Sequence, residues 1–120
     1  MNEETLAVLT RFNDAFNRHD ADGMMALMSN DCVFENTYPP PDGERFEGWS
    51  AVRQFWLNFF QQSQNARLDF EEIVAFDERA FQRWVYSWQD ESGAHGHVRG
   101  VDIFRLRDGK IVEKLSYVKG

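Results

Sequence analysis

The stretch from Arg99 to Glu113 constrains the fold more than any other part of the chain, because it reads as two strands joined at Asp108-Gly109 with an acid where a hydrophobe is expected. Side-chain alternation puts Val98, Gly100, Asp102, Phe104 and Leu106 on one face and Arg99, Val101, Ile103, Arg105 and Arg107 on the other. The first face is the interior candidate, so Asp102 is an acid among apolar neighbours. Asp108-Gly109 supplies either a two-residue type I′ turn or the end of a three-residue loop closed by a glycine bulge. The two options differ by one residue in register. With the bulged loop, Val112, Lys114 and Ser116 share a face with Asp102; with the two-residue turn, Glu113 and Leu115 do.

Upstream of this hairpin the pattern is helical. Leu6, Leu9, Phe12 and Phe16 recur at spacings of three and four with Val8 and Ala15 beside them, while Glu3, Glu4, Arg11, Asn13 and Arg18 take the opposite side of an amphipathic helix over residues 3–19. Asp20 caps a shorter second helix whose buried side is Met24, Leu27 and Met28, and Ser29-Asn30-Asp31 ends it. Cys32 to Asn36 is a short strand with Cys32, Phe34 and Asn36 on one face. The run from Thr37 to Glu47 holds Pro39-Pro40-Pro41-Asp42-Gly43 and is read as an irregular rim or lid. A third helix over residues 49–62 aligns Val52, Phe55, Trp56 and Phe59, with Gly48 or Ser50 as its cap.

From Leu68 the period changes to two. A bulge reconciles Leu68-Asp69-Phe70 with Ile73-Val74-Ala75-Phe76. After a turn at Asp77-Glu78, residues 81–89 alternate strictly, Trp84, Tyr86 and Trp88 opposing Arg83, Val85 and Ser87. Helices first and an antiparallel meander afterwards make an α+β pattern in which the sheet curls around the helices. The 120 residues contain no repeat, linker or low-complexity segment, so one domain over 1–120 is expected, folding without metal or disulfide.

The formal charge of −7 and the lack of a basic patch argue against nucleic acid and anionic membranes as partners, and no apolar run reaches membrane-spanning length. A single cysteine, Cys32, and no leader-like segment before the first helix make the cytoplasm the expected compartment. Aromatic residues are 15% of the chain, eleven of them Phe and four Trp, which requires either a very full core or a cavity walled by rings.

Carboxylates are seldom buried unless paired or functional, so Asp102 is the candidate catalytic residue. Burial among Trp84, Phe104 and other rings would raise its pKa, and a nearby cation would oppose the shift. Lys114 is the candidate for that cation; the alternative is a solvated lysine at the rim. Trp84, Tyr86 and Trp88 either wall a cavity opposite Gly100, where a missing side chain leaves room, or fill the core. His95-Gly96-His97 lacks the further ligands of a metal site and reads as exposed turn histidines, His19 meets the negative end of a helix dipole, and Cys32 is a buried, inert thiol. No phosphate loop or nucleophile elbow occurs, and no cofactor is expected.

The element order, with Gly48-Trp-Ser-Ala-Val-Arg-Gln-Phe-Trp56 and Val101-Asp-Ile-Phe-Arg-Leu-Arg-Asp-Gly-Lys-Ile111, resembles the nuclear-transport-factor-two-like superfamily, nearest its SnoaL-like polyketide cyclases and ketosteroid isomerases. The resemblance implies a cone-shaped, cystatin-like α+β barrel with three N-terminal helices in the concave face of a strongly curved, mostly antiparallel sheet. It places Asp102 where the isomerases keep an oxyanion-hole acid and the cyclases an acid/base. It also places Asn36 at the isomerases' base and Phe12 at their tyrosine. An amide cannot abstract a proton and a phenyl ring cannot donate one, so isomerase activity on ketosteroids is not expected.

Three functions fit these features. The first is a cofactor-independent enzyme of cyclase, isomerase or dehydratase type on an apolar or aromatic carbonyl compound, with Asp102 as general acid/base and Asn36 orienting a substrate oxygen. Phe12, Phe16, Phe55, Trp56, Trp84 and Tyr86, with Trp88, Gly100, Phe104, Lys114 and Ser116, are the expected ligand contacts. The second is a binding module for a small hydrophobic ligand, and the third a dimerisation domain. A homodimer is expected through the face bearing Val85, Val101 and Ile103 among Arg83, Arg99 and Arg105, as related proteins pair.

Overall fold

The computed structural model describes residues 2–120. Among these, the chain forms α1 (Asn2–Asn17), α2 (Ala21–Met25), β1 (Met28–Glu35), β2 (Arg45–Glu47), α3 (Trp49–Gln62), β3 (Arg67–Phe76), β4 (Arg79–Gln89), β5 (His95–Arg107) and β6 (Lys110–Val118). The strands make one sheet in the order β2-β1-β6-β5-β4-β3. Four of its ladders are antiparallel and β1–β6 is parallel, so the expected mostly antiparallel α+β sheet curved around three helices is what forms. No helix among the described residues is long and apolar enough to cross a membrane.

The amphipathic faces decide which side of the sheet is covered. Val8, Leu9, Phe12, Ala15 and Phe16 of α1 and Val52, Trp56 and Phe60 of α3 are buried in one core with Phe34, Phe104, Leu106 and Ile111 from the strands. Trp84 is buried as well, and Leu27, Phe55 and Phe59 are half-buried. Asn17 locks the end of α1 to β3 with a reciprocal pair of bonds, donating to the Leu68 carbonyl and accepting from the Leu68 amide, both at 2.9 Å. The bulge expected in β3 lies between Phe70 and Glu72.

Several boundaries differ from the sequence reading. The second helix is a single turn capped by Asp20, whose carboxylate accepts from the Gly23 amide at 2.9 Å; Met28 belongs to β1, and so do Ser29, Asn30 and Asp31. Those polar residues fit in a strand because the parallel ladder breaks between Met28 and Val33, and Asp31 there accepts from Ser29 and Arg107. The rim loop is irregular only up to Glu44. Beyond the prolines, Arg45–Glu47 adds an edge strand, Arg45 pairing with both Glu35 and Glu47. His19 does more than face a helix end: at φ 56° its Nε2 is 2.8 Å from the Ala66 carbonyl and its ring stacks on Phe60. His95 and His97 are exposed strand residues rather than turn residues.

The hairpin combines features of both expected registers. Arg107 pairs with Lys110 across a two-residue turn in which Asp108 (φ 53°) and Gly109 (φ 75°) are both left-handed, the type I′ geometry. The ladder then shifts, Leu106 facing Ile111 but Arg105 facing Glu113. Ile111 and Val112 are consecutively buried there, as a bulge requires. The shift brings Lys114 and Ser116 onto the face of Asp102.

Candidate functional site

Between the helices and the concave side of the sheet lies a cavity of about 190 Å³. It is walled mainly by rings: Phe12 and Phe16 from α1, Phe34 from β1, Trp56 and Phe59 from α3, and Trp84 and Tyr86 from β4. Its polar floor follows from register. Gln82, Asp102 and Ser116 are direct partners across β4, β5 and β6, and Lys114 stands one row away opposite both Phe104 and Phe34. Side chains in one row of a sheet face are held within reach of each other. The strands thus assemble an amide, a carboxylate, a hydroxyl and an amine from residues far apart in sequence.

These groups form one continuous network. Ser116 Oγ donates to Asp102 Oδ1 at 2.7 Å and Gln82 Nε2 donates to Asp102 Oδ2 at 2.9 Å. Lys114 Nζ donates to Ser116 Oγ at 2.9 Å and approaches Asp102 Oδ1 at 3.4 Å. Gln82 is fixed in turn by Asn13, which donates from Nδ2 to Gln82 Oε1 at 2.8 Å and accepts from Gln82 Nε2 at 3.2 Å. Asp102 is 1% exposed and Lys114 6%, so the pair is screened from water. Lys114 Nζ also sits 4.6 Å from the centre of the Phe34 ring and 5.6 Å from that of Trp56, a cation held against aromatic faces.

Burial pushes the Lys114 amine below the ordinary lysine range; desolvation is the larger influence, and Asp102 opposes it through its charge and its hydrogen bond. Of the two arrangements open at the sequence level, a lone acid or an acid paired with Lys114, the folded chain adopts the pair. Cys32 is buried and its thiol is pushed up to about 11 by desolvation, in keeping with an inert role. Among the described residues no cluster of His, Cys, Asp and Glu is placed to hold a metal ion.

Of the residues singled out from sequence, Phe12, Phe16, Asn36, Trp56, Trp84, Tyr86, Asp102, Lys114 and Ser116 border the cavity. Four do not. Gly100 leaves no open room, because the Trp84 indole packs directly over it and a Cβ there would collide with that ring and with the Tyr117 carbonyl. Trp88 repeats the arrangement four residues further along β4, covering Gly96 and facing away toward Gln61–Ala66. Phe104 is engaged edge-on by Phe12, with ring centres 6.3 Å apart, and belongs to the core. Phe55 sits on the side of α3 turned to Phe46, 4.9 Å away.

The residues that sequence reading missed are chiefly Asn13 and Gln82. Asn13 falls on the polar side of the sequence pattern of α1 yet is buried. Gln82 has the parity of Trp84 and Tyr86 and so shares their inward face, the one signal that could have found it. Phe34, Thr37, Tyr38, Phe59, Leu68 and Val98 complete the lining. Trp56 and Trp84 contribute a further feature: among the described residues their buried indole N–H groups are the side-chain donors without a partner.

The comparisons agree with this architecture. The SnoaL-like domain family matches residues 9–114. An NTF2-like protein of unknown function from Mesorhizobium loti is 42% identical over 99% of this chain and 93% of its own, with a TM-score of 0.83. A candidate polyketide cyclase from Xanthomonas campestris pv. campestris, 24% identical, aligns over 98% of this chain and 92% of its own with a TM-score of 0.77, and shares the fold. So does a candidate SnoaL-like polyketide cyclase from Jannaschia sp., 14% identical, covering 98% and 87% of the two chains at 0.83. With a profile match over nearly the whole length and a close structural relative at high coverage, the chain belongs to the SnoaL-like domain family of the NTF2-like superfamily.

Proposed function

We propose that this protein binds a small apolar or aromatic carbonyl compound in the ring-walled cavity and that Asp102 acts on it as general acid/base, in a reaction of cyclase, isomerase or dehydratase type. The observation that carries the reading is the buried chain Asn13–Gln82–Asp102–Ser116–Lys114 along the floor of an otherwise aromatic cavity. Apolar walls with a few convergent polar groups are the usual make-up of a ligand site. Engineered apolar cavities of about 150 Å³ accept benzene, so the space suits a compound built on one ring. The partnerless indole N–H groups favour a ligand bearing acceptor oxygens. Asn36 borders the same space and would orient such an oxygen.

The reaction asked of Asp102 is proton removal from a carbon already acidified by neighbouring carbonyls. Exchange of the acidic protons of benzoylacetone for deuterium, followed by NMR, is expected to run faster with protein than in buffer. Asp102→Asn is expected to lose about 100-fold of that acceleration, within the range general acid/base groups supply. No acceleration by the parent protein would remove the enzymatic reading. A non-catalytic binding role is the second reading, and it has its own support: the Asp102 carboxylate already accepts from Gln82, Ser116 and Lys114, the pattern of a group that positions others.

We also propose a homodimer through the convex face of the sheet. Val74, Phe81, Ile103 and Leu115 lie in one register row across β3, β4, β5 and β6 there. The arginines beside the row are already paired within the sheet, Arg83 with Glu72 at 2.9 Å and Arg99 with Glu71 at 2.8 Å, which lowers the cost of covering them. A continuous apolar row flanked by neutralised charge fits a two-fold interface. Sedimentation at about 50 μM, suited to a standard interface, is expected to show dimer for the parent and monomer for Ile103→Asp. A monomeric parent would refute it. A cytoplasmic location is proposed with this reading, in keeping with the unbridged Cys32.

A further inference from the structure

We infer that Lys114 is a nucleophile that forms an imine with the carbonyl carbon of a one-ring aldehyde or ketone in the cavity, with Asp102 and Ser116 carrying its protons. The inference rests on reading the cavity as a carbonyl site and adds the group that bonds to the ligand.

The geometry separates the two ends of the network. Asp102 has partners on both carboxylate oxygens, whereas the Lys114 amine has two polar partners, Ser116 Oγ and Asp102 Oδ1, and its remaining surroundings are the Phe34 and Trp56 rings of the cavity wall. An ammonium has three donor positions, so one is left facing rings that offer no conventional acceptor. Loss of that proton frees a lone pair in an apolar space 6% open to solvent. Desolvation already moves the amine in that direction. A lysine desolvated in a hydrophobic pocket is one of the recognised ways to make this side chain nucleophilic.

The steps balance. Asp102 takes a proton from the Lys114 ammonium, and the free amine attacks the carbonyl carbon, forming a C–N bond while the C=O π bond opens and one proton of the attacking nitrogen passes to the carbonyl oxygen. Asp102 then returns its proton to the hydroxyl of that carbinolamine, with Ser116 bridging. The C–O bond breaks, water leaves, and a C=N bond remains. The net change is amine plus carbonyl giving imine plus water. The protonated imine draws electrons from the adjacent carbon more strongly than the ketone does, which eases removal of a proton there.

Benzaldehyde with sodium cyanoborohydride tests this on the intact protein, because hydride reduces an imine to a stable benzyl amine that peptide mass mapping locates. Lys110 and Lys119 are exposed and serve as internal standards in the same chain. At pH 7, trapping at Lys114 is expected to exceed that at either standard by about tenfold or more, since a lysine desolvated in an apolar pocket beside a proton acceptor holds more of its free amine than an exposed one. Benzyl alcohol, which fits the same space and forms no imine, should slow trapping at Lys114 and leave the standards unchanged. Lys114→Arg, which keeps a positive charge beside Asp102 but has no primary amine, should remove the fast site and leave trapping at Lys110 and Lys119 unchanged, while benzyl alcohol binding to the parent is read as a change in tryptophan fluorescence. If benzyl alcohol binds the parent while Lys114 labels no faster than Lys110 and Lys119, the imine is refuted and the cavity reading stands. If benzyl alcohol does not bind and Lys114 labels at the standard rate, both are refuted.

Discussion

Asp102→Asn is expected to destabilise the fold by about 3 kcal/mol at pH 7, the cost of breaking a buried ion pair by removing one member. Asparagine is nearly isosteric, so the loss is electrostatic. Its amide has one acceptor and one donor end, whereas the carboxylate it replaces accepts from Gln82 on one oxygen and from Ser116 and Lys114 on the other. Whichever way the amide turns, a donor faces a donor. Lys114→Met, removing the other member, should also destabilise, because the carboxylate then keeps only two partners. The double variant should cost less than the sum of the two by about 2 kcal/mol, the coupling expected of groups in one network. Denaturant melts of the four proteins measure this. Strict additivity would mean that the 3.4 Å contact carries no energy and that the two groups act separately.

The same cycle carries a pH signature whose sign comes from Lys114. Its amine titrates lower in the folded chain than in the unfolded one. Between that lowered value and the ordinary value of about 10.4, the unfolded chain binds a proton that the folded chain does not, so stability rises as pH rises through the interval. Below the interval both states hold the proton and the dependence vanishes. Asp102 is the charged group in contact with the amine, and removing it should lower the start of the interval further. Melts from pH 7 to pH 10 are expected to show a slope in the parent that is missing in Lys114→Met. An equal slope in both would assign it to other groups.

Gly100→Ala is the second large effect. In an open part of a strand, adding a methyl group in place of glycine tends to stabilise, by about 0.5–1 kcal/mol. Here the sign reverses, because the new Cβ would collide with the carbonyl of Tyr117 on β6 and with the Trp84 indole. The carbonyl is part of the sheet and cannot yield, so the ring must. A cost of about 3 kcal/mol is expected, at the upper end for overpacking. The indole borders the cavity, so its displacement should lower affinity for benzyl alcohol along with stability. A variant as stable as the parent, with unchanged tryptophan emission, would show that Trp84 does not need the bare backbone at position 100.

The fit of Trp84 over Gly100 shows how a correct local reading can misjudge space. Alternation correctly put Trp84 and Gly100 on inward faces, and a glycine there suggested a void. Pairing in β4–β5 then set the two directly opposite each other, and the largest side chain took up the space left by the smallest. Trp88 and Gly96 repeat the pairing four residues on. Two indoles that the sequence offered as equal candidates for the cavity wall therefore part company. Trp84 borders the cavity and Trp88 closes a different part of the sheet.

By itself the sequence determined the three helices and five of the six strands, their order, the main apolar faces and the inward position of Asp102. Each of these depends on periodicities of two or 3.6 residues and on turn chemistry within a few positions, such as the two left-handed residues that Asp108-Gly109 readily adopts. Only the tertiary structure decided what Asp102 touches. The bulge at Ile111-Val112 is stabilised by both side chains finding the core, and without it Lys114 and Ser116 would face outward. Asn13 and Gln82 are stranger still to a local reading, since a lone amide belongs in water and these become tolerable inside because they satisfy each other across 69 residues of sequence, with Gln82 also donating to Asp102. A buried polar group is a property of a pair, and a pair that the fold alone brings together leaves no mark on either segment.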